Sequence, residues 1–256
     1  MRQRGRTSDG DGALAVFSKL PSIAMNVLVV YAHPEPRSFT GALRDAAVQT
    51  LTEQGHEVQV SDLYSMGFNP VPGWHDFVDH DRLEFFGYET EQKRATAAGS
   101  FAADLRLEME KLAQADLLIL VFPLWWYGFP AILKGWVDRV FAAGFAYGSG
   151  RWYSKGVFRG KRAMLAFTTG GPATAYSADG LQGDIARIVY PLHHGILHYT
   201  GFDVLEPFVA FGASYAEPES RAAILASFEA RLRGLESEAA IPPPDLGDFD
   251  ERLRRK

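Results

Sequence analysis

Residues 27–32 read VLVVYA and residues 117–122 read LLILVF. Both runs are apolar throughout, and β-branched or large aliphatic side chains dominate them, which is typical of a strand covered on both faces. Strands of this kind occur in parallel sheets, whose crossover connections place helices on each face. The two runs therefore predict a layered α/β domain.

Helical and strand patterns alternate outward from these two runs. Ser38 or Thr40 is suited to cap a helix that runs to about Gln54, and Gly55 is suited to end it. The pattern predicts further strands at residues 57–63, 162–168 and 202–211, and further helices at residues 101–114, 131–141 and 217–235. Residues 185–199 are expected to be helical after Pro191. Pro207 is expected to break or bulge the last strand. Five strands that alternate with helices indicate a doubly wound parallel sheet in a single domain.

The regions outside and between these elements suggest the domain organisation. Residues 1–24 lack periodicity and are rich in Arg, Gly, Asp and Ser, so we expect a disordered leader, with Met25 as a candidate start of translation. Residues 25–236 form the predicted domain, and residues 237–256 form a proline-containing, charged tail. Residues 64–100 look irregular and are interpreted as a long insertion that carries function or covers something.

The composition excludes several classes of protein. The chain has no cysteine, which excludes disulfides, thiolate catalysis and cysteine-ligated metal or iron–sulfur sites. Its net charge of −5 indicates no basic surface for nucleic acid. The uncharged run 117–133 is interrupted by proline and glycine and is shorter than the roughly 20 residues of a membrane helix. We therefore expect a cytoplasmic protein without a membrane span, in which any redox chemistry comes from a cofactor.

Three predicted strands end in loops that suit one ligand. Residues 33–40, after the first strand, lead into a helix N-terminus and favour an anion such as phosphate. Residues 123–128, after the third strand, carry consecutive aromatic side chains, and residues 168–171, after the fourth, are small and hydroxyl-bearing. Ligands of open parallel sheets bind beyond the carboxyl ends of the strands, so these loops predict a site for a phosphorylated, planar aromatic molecule. A flavin nucleotide has this chemistry.

Other nucleotide and metal sites have no support in the sequence. There is no glycine fingerprint for NAD after the first strand, no P-loop, no zinc-protease motif and no nucleophile elbow. The histidines His193, His194 and His198 have no carboxylate at helical spacing, and adjacent histidines face different sides of a helix. We therefore expect no metal site.

Several long blocks resemble the NAD(P)H:quinone oxidoreductase (DT-diaphorase-like) family of flavoproteins. The resemblance runs from about Met25 to about Leu235 and is strongest in residues 122–136, which read FPLWWYGFPAILKGW. Further blocks are SDLYSMGFNP at 61–70, GFAY at 144–147, TTGG at 168–171, GILH at 195–198 and GFDVLEP at 201–207. The resemblance implies a flavodoxin-like fold with the strand order 2-1-3-4-5.

The same resemblance implies an activity and a set of site residues. Members are homodimers that bind FAD, have active sites at the dimer interface, and pass a hydride from NAD(P)H through the flavin to a quinone by a ping-pong route. The residues expected to bind the cofactor are His33, Phe39, Thr40, Pro123, Leu124, Trp125, Trp126, Thr168, Thr169, Gly170, Gly171, Tyr176 and Arg221. Those expected to line the substrate pocket are Trp126, Tyr127 and, from the second copy of the chain, Tyr147. Tyr176 and Gln182 are the expected catalytic residues.

Gln182 departs from the family pattern. Many members carry a histidine six residues after the tyrosine that matches Tyr176, and the two are proposed to manage charge on the flavin. An amide donates a hydrogen bond but carries no proton at neutral pH. The resemblance therefore does not carry the proton relay over to this chain, and the preferred hydride donor stays open.

The cofactor and the acceptor also have alternatives. FAD is preferred over FMN because the insertion at residues 64–100 and the side chain of Arg221 would reach an adenine half. One rival function is an azo- or nitroreductase, or a general flavin reductase, of the same fold. Another is a regulatory flavoprotein subunit of a transporter, for example one that exports potassium. The sequence does not determine the physiological acceptor.

Overall fold

A parallel sheet forms the centre of the chain. The computed structural model describes residues 24–79 and 85–256. The strands are β1 Asn26–Tyr31, β2 Glu57–Asp62, β3 Leu117–Pro123, β4 Arg162–Thr168, β5 Asp203–Val204 and β6 Phe208–Ala210. They are parallel and follow the order β2-β1-β3-β4-β5, with β6 also paired to β4. The predicted doubly wound sheet with strand order 2-1-3-4-5 is confirmed.

Helices cover both faces of this sheet. They are α1 Phe39–Glu53, α2 Tyr88–Ala98, α3 Ala103–Gln114, α4 Ala131–Val140, α5 Ile185–Leu192 and α6 Pro218–Arg233, and α5 continues into a π-helical turn, His193–His198. Helices α1 and α6 share one core with strand residues such as Val29 and Ile119. Helices α2 to α5 share the other core with the intervening residues, such as Val30 and Leu120. Because strand side chains alternate between faces, each apolar run supplies both cores.

Helix α1 begins where the sequence predicts. Ser38 is its N-cap and accepts a hydrogen bond from the backbone N–H of Gly41 at 3.1 Å. A side chain at Gly41 has no room, since a Cβ there would lie 2.0 Å from the carbonyl oxygen of Pro36. The loop after β1 is therefore folded tightly against the first turn of α1. At the other end of the helix, Gly55 has a φ of +88°, in the left-handed region that favours glycine.

The fifth strand and residues 64–100 show where the sequence pattern predicts the structure correctly and where it does not. The fifth strand is interrupted at residues 205–207, which include Pro207, and the two parts, β5 and β6, both pair with β4. The predicted break is confirmed. The expectation that residues 64–100 are irregular is wrong where α2 lies. Helix α2 buries Glu91 and Gln92 in place of an apolar stripe, which is why its helical pattern is weak in the sequence.

A buried ion pair anchors the insertion to the rest of the domain. Asp76 and Arg139 are both fully buried, with 2.6 Å between Oδ1 of the aspartate and Nη2 of the arginine. Tyr88 of α2 donates its hydroxyl to Oδ2 of Asp76 at 2.7 Å. Burial, together with this hydrogen bond to a carboxylate, raises the pKa of Tyr88. The insertion is thereby joined to α4, the helix that follows the aromatic segment.

The two ends of the chain differ in what the structure describes. The expected disordered leader lies outside the described residues except for Ala24. The tail packs on the domain: the N–H of Ile241 donates to the carbonyl of Val204 at 2.7 Å. No helix within the described ranges combines the length and the apolar character that crossing a bilayer requires. The domain boundary at residue 236 stays a prediction.

Candidate functional site

The loop after β1 places His33 at the edge of the sheet. Its Nδ1 lies 3.0 Å from the backbone nitrogen of Glu35 and 3.1 Å from the carbonyl oxygen of the same residue, so the backbone of Glu35 holds the ring in place. Burial lowers the pKa of His33 and so favours the neutral form. The ring centre lies 5.9 Å from that of Trp125, so this loop contacts the aromatic segment. The cation of the loop, Arg37, is exposed and pairs with Glu35 at 2.9 Å.

Thr40 links α1 to the end of β4. Its side chain is buried, and its hydroxyl oxygen lies 3.1 Å from that of Thr168. Thr168 pairs in register with Pro123 of β3, and its carbonyl accepts a hydrogen bond from the N–H of Leu124 at 2.9 Å. Phe39, the first residue of α1, is half-buried at the same end. These contacts bring the ends of α1, β3 and β4 together.

Residues 125–128, in the aromatic segment 123–128 after β3, form a tight turn that we call the aromatic turn. Trp125 and Gly128 pair across it, and the N–H of Gly128 donates to the carbonyl of Trp125 at 3.0 Å. Trp126 and Tyr127 form its corners with φ of +50° and +59°. Residues with side chains adopt such values at a cost of roughly 1–2 kcal/mol each. Trp126 is nevertheless 99% exposed, so the residues that the structure describes do not pack against this strained side chain.

The loop after β4 offers accessible backbone. The N–H of Thr169 donates to the carbonyl of Ala210 in β6 at 3.1 Å, and its hydroxyl donates to the carbonyl of Gly171 at 2.9 Å. A Cβ at Gly170 would meet no atom within 4 Å, so the backbone there faces open space. A flat ligand can approach such a backbone closely.

Tyr176 and Gln182 lie in one loop that meets the aromatic turn. The ring of Tyr176 packs against Phe211, with 5.7 Å between ring centres. The side-chain oxygen of Gln182 accepts a hydrogen bond from the hydroxyl of Tyr127. We call the edge formed by residues 33–40, 123–128, 168–171 and 173–183 the strand-end site.

Tyr147 and Arg221 are placed apart from these loops. Tyr147 is half-buried in a hollow of about 370 Å³ that is lined by α2, α4 and residues 195–200, and its ring centre is 5.9 Å from that of Tyr199. Arg221 lies near the start of α6 and donates to the carbonyl of Ser214 at 3.2 Å. The role of Tyr147 beside the aromatic turn of a second copy, and that of Arg221 at an adenine, stay predictions.

Further residues that no sequence pattern indicated lie at this edge, and two of them follow β6. Phe211 packs on Tyr176, and the N–H of Gly212, which has a φ of +61°, lies 3.4 Å from the hydroxyl of Thr169. Leu181, beside Gln182, is 94% exposed and adds apolar surface. Pairing of β6 with β4 brings the first two residues to this edge, and no local pattern signals that pairing.

The histidines that follow α5 lie in a separate hollow beneath the tail. His193 and His198 are buried, and burial lowers the pKa of His193 to about 4. Within residues 24–79 and 85–256, no three His, Asp or Glu side chains are grouped so that they could hold a metal ion.

Comparison with known proteins covers nearly the whole described chain. The family model for the flavodoxin-like fold matches residues 25–234. Ribosyldihydronicotinamide dehydrogenase (quinone) of Mus musculus is 44% identical over 216 residues, which are 84% of this chain and 94% of the mouse protein. NAD(P)H dehydrogenase (quinone) 1 of Cavia porcellus is 42% identical over 226 residues, which are 87% of this chain and 82% of that protein.

A solved structure agrees with these relatives. A protein described as a quinone reductase from Klebsiella pneumoniae superposes with a TM-score of 0.87 at 43% sequence identity. The superposition covers 91% of this chain and 94% of the other. The structural similarity therefore extends over most of the chain.

Proposed function

The chain belongs to the NAD(P)H:quinone oxidoreductase family, with its flavodoxin-like fold, and we propose that it works through FAD bound at the strand-end site. It is an NAD(P)H dehydrogenase of quinones. When bound, a flavin supplies the hydride chemistry that protein side chains lack. In the proposal NAD(P)H and a quinone, or a similar flat aromatic acceptor, use one pocket in turn, which is a ping-pong route.

The residues of the strand-end site fit a flavin nucleotide. His33, together with Phe39 and Thr40 at the start of α1, is assigned to the phosphates and the ribityl chain. The planar ring is assigned to residues 123–126 and 168–171, where an exposed indole and open glycine backbone lie. Tyr176 is assigned to the pyrimidine side of the ring, and the exposed Arg221 to the adenine.

The observation that best supports the proposal is the exposure of the Trp126 side chain together with the positive φ of its backbone. The 99% exposed indole leaves apolar surface in water, and the positive φ strains the backbone, so two unfavourable contributions to the free energy meet at this residue. Both costs are offset when a flat aromatic molecule covers the indole. The side chain then orients the acceptor against the ring, and the neighbouring aromatic surfaces exclude water.

A homodimer completes the proposed site. Leu181 is 94% exposed at the same edge as Trp126, so the strand-end site presents apolar surface that a second copy of the chain would cover. That copy would contribute the partner's Tyr147 beside Trp126 and Tyr127. Sedimentation of the purified protein tests this directly: a monomer at micromolar concentration would contradict the shared site.

Three measurements on the purified full-length protein test the function. We expect flavin absorbance, release of FAD on heating as identified by chromatography, and oxidation of NADPH or NADH that depends on a benzoquinone. Trp126→Ala should lose flavin or turnover, whereas Tyr190→Ala, which truncates another exposed aromatic side chain on α5, should lose neither. Pure FMN would overturn the choice of FAD, and a protein that takes up no flavin would overturn the proposal as a whole.

A further inference from the structure

The contact between Tyr127 and Gln182 joins two loops that each belong to the strand-end site. The hydroxyl of Tyr127 donates to Oε1 of Gln182, although the two residues are 55 positions apart in the chain. Both side chains are exposed, so burial does not force them together. A solvent-exposed hydrogen bond between long side chains costs conformational entropy, and it persists only where the backbone on each side is already placed for it.

The backbone is held on both sides of this contact. On one side, the tight turn fixes Tyr127 at a φ of +59°. On the other, the N–H of Gln182 donates to the carbonyl of Ala175 at 2.8 Å. Gly180 of the same loop cannot carry a side chain, since a Cβ would lie 2.4 Å from the carbonyl oxygen of Ala175. Both ends of the contact are therefore preorganised before any ligand binds.

The contact also determines which end of the Gln182 amide faces the site. A phenolic hydroxyl donates readily, and an amide oxygen is the stronger acceptor, so the Tyr127 hydroxyl occupies Oε1. The NH₂ group is then the end left to interact with a ligand. Without such a partner the amide could rotate and present its oxygen, which would repel an acceptor atom of the ligand.

We infer that Tyr127 is a positioning residue that orients Gln182 as a hydrogen-bond donor toward the edge of the bound ring. The inference rests on the proposed function, because it requires a flavin ring at the strand-end site. Gln182 thereby acquires a defined role, since its amide donates to a ring acceptor without carrying an ionisable proton. Tyr127 contributes through its hydroxyl and not only through its aromatic surface.

The test combines a spectroscopic signal with a double-mutant cycle on the full-length protein. Side-chain amide signals of ¹⁵N-labelled protein are assigned with Gln182→Glu, which removes one NH₂ pair. We expect Tyr127→Phe to shift the Gln182 signal, and Tyr190→Phe to leave it in place. FAD affinity and the flavin midpoint potential are then measured for Tyr127→Phe, Gln182→Leu and the double variant.

The cycle separates a shared role from two independent ones. We expect each single variant to weaken FAD binding about five-fold and to lower the midpoint potential, with the double variant no worse than either single one. An unshifted Gln182 signal, or losses that multiply to about 25-fold in the double variant, would overturn the inference while flavin binding and turnover stand. If the wild-type protein takes up no flavin, the proposed function fails first, and the inference fails with it.

Discussion

Trp126 and Trp136 stand in the same block of sequence and occupy opposite environments. Trp126 is 99% exposed at a corner of the aromatic turn, whereas Trp136 on α4 is fully buried. The indole N–H of Trp136 donates to Oε2 of the buried Glu108 at 2.8 Å. Next to it on α4, the buried Arg139 pairs with Asp76. The two regions lie on either side of Pro130, the N-cap of α4.

Residue type alone therefore does not decide whether an aromatic side chain serves the fold or the function. On α4, buried apolar and polar contacts are satisfied within the chain, so substitutions there should act on stability. In the aromatic turn, the backbone is strained and the side chain of Trp126 is left exposed, so substitutions there should act on ligand binding.

The largest loss of stability is expected for Asp76→Asn. Removal of the carboxylate charge leaves Arg139 fully buried with only the longer contact to Asp104, at 3.3 Å, as an ionic partner among the described residues. Breaking a buried pair in this way costs about 3–5 kcal/mol. Chemical unfolding followed by circular dichroism measures the loss. The control is Asp138→Asn on α4, whose exposed pair with Lys134 is worth less than about 1 kcal/mol. Equal losses would contradict the importance of burial.

The next effect is a loss of stability in acid through His193. Its pKa in the folded chain is about 4, lowered first by burial and then by His198, against about 6.5 when unfolded. Between these values the unfolded chain binds more protons, so stability falls as the pH falls from about 6.5 to 4, by up to about 3 kcal/mol. Unfolding curves at pH 7 and pH 4.5 measure the slope. His193→Gln should flatten it, and an unchanged slope would refute the assignment.

A moderate effect is expected for Trp136→Phe. Phenylalanine keeps most of the apolar volume but removes the donor to Glu108, whose other oxygen still contacts Lys111 at 2.6 Å. Loss of one hydrogen bond to a buried charged group costs about 2 kcal/mol. Equilibrium unfolding in urea gives the value. Trp152→Phe, at a half-buried tryptophan stacked on Tyr199, is the matched control and should cost less.

The smallest effect on stability is expected for Trp126→Gly. Glycine removes the strain of a φ of +50° but adds disorder to the unfolded chain, so the net change should stay within about 1 kcal/mol. Flavin affinity, by contrast, should fall about ten-fold or more through loss of the stacking surface. Fluorescence titration with FAD compares this variant with Trp126→Phe, which keeps an aromatic face. A large loss of stability with unchanged affinity would reverse the contrast.

Much of the fold was predictable because its signals are local. Local side-chain properties explain the apolar run of β1 and the cap at Ser38. They also explain the break at Pro207, since the proline ring removes the backbone N–H that a strand would donate. Helix α2 was missed because it buries Glu91 and Gln92 against partners that local pattern does not contain. The partners Asp76 and Arg139, 63 residues apart, were likewise not foreseeable.

The candidate site was likewise predictable from the sequence only in part. Its loops were predicted from their place after strands of a parallel sheet, since the ends of such strands meet at one edge. The positive φ of Trp126 and Tyr127 and the arrival of Phe211 beside Tyr176 were not predicted. These features depend on strand register and on the close approach of distant loops.

The alternation of strands and helices, the edge at which a ligand site lies and the family of the chain could all be inferred from the order of the residues. The exposure of Trp126, the burial of Trp136 and the contact between Tyr127 and Gln182 became visible only in the folded chain. The physical reason is the range of the forces involved. Periodicity, caps and turns act between near neighbours, whereas burial and hydrogen bonds between loops exist only once both sheet faces have packed.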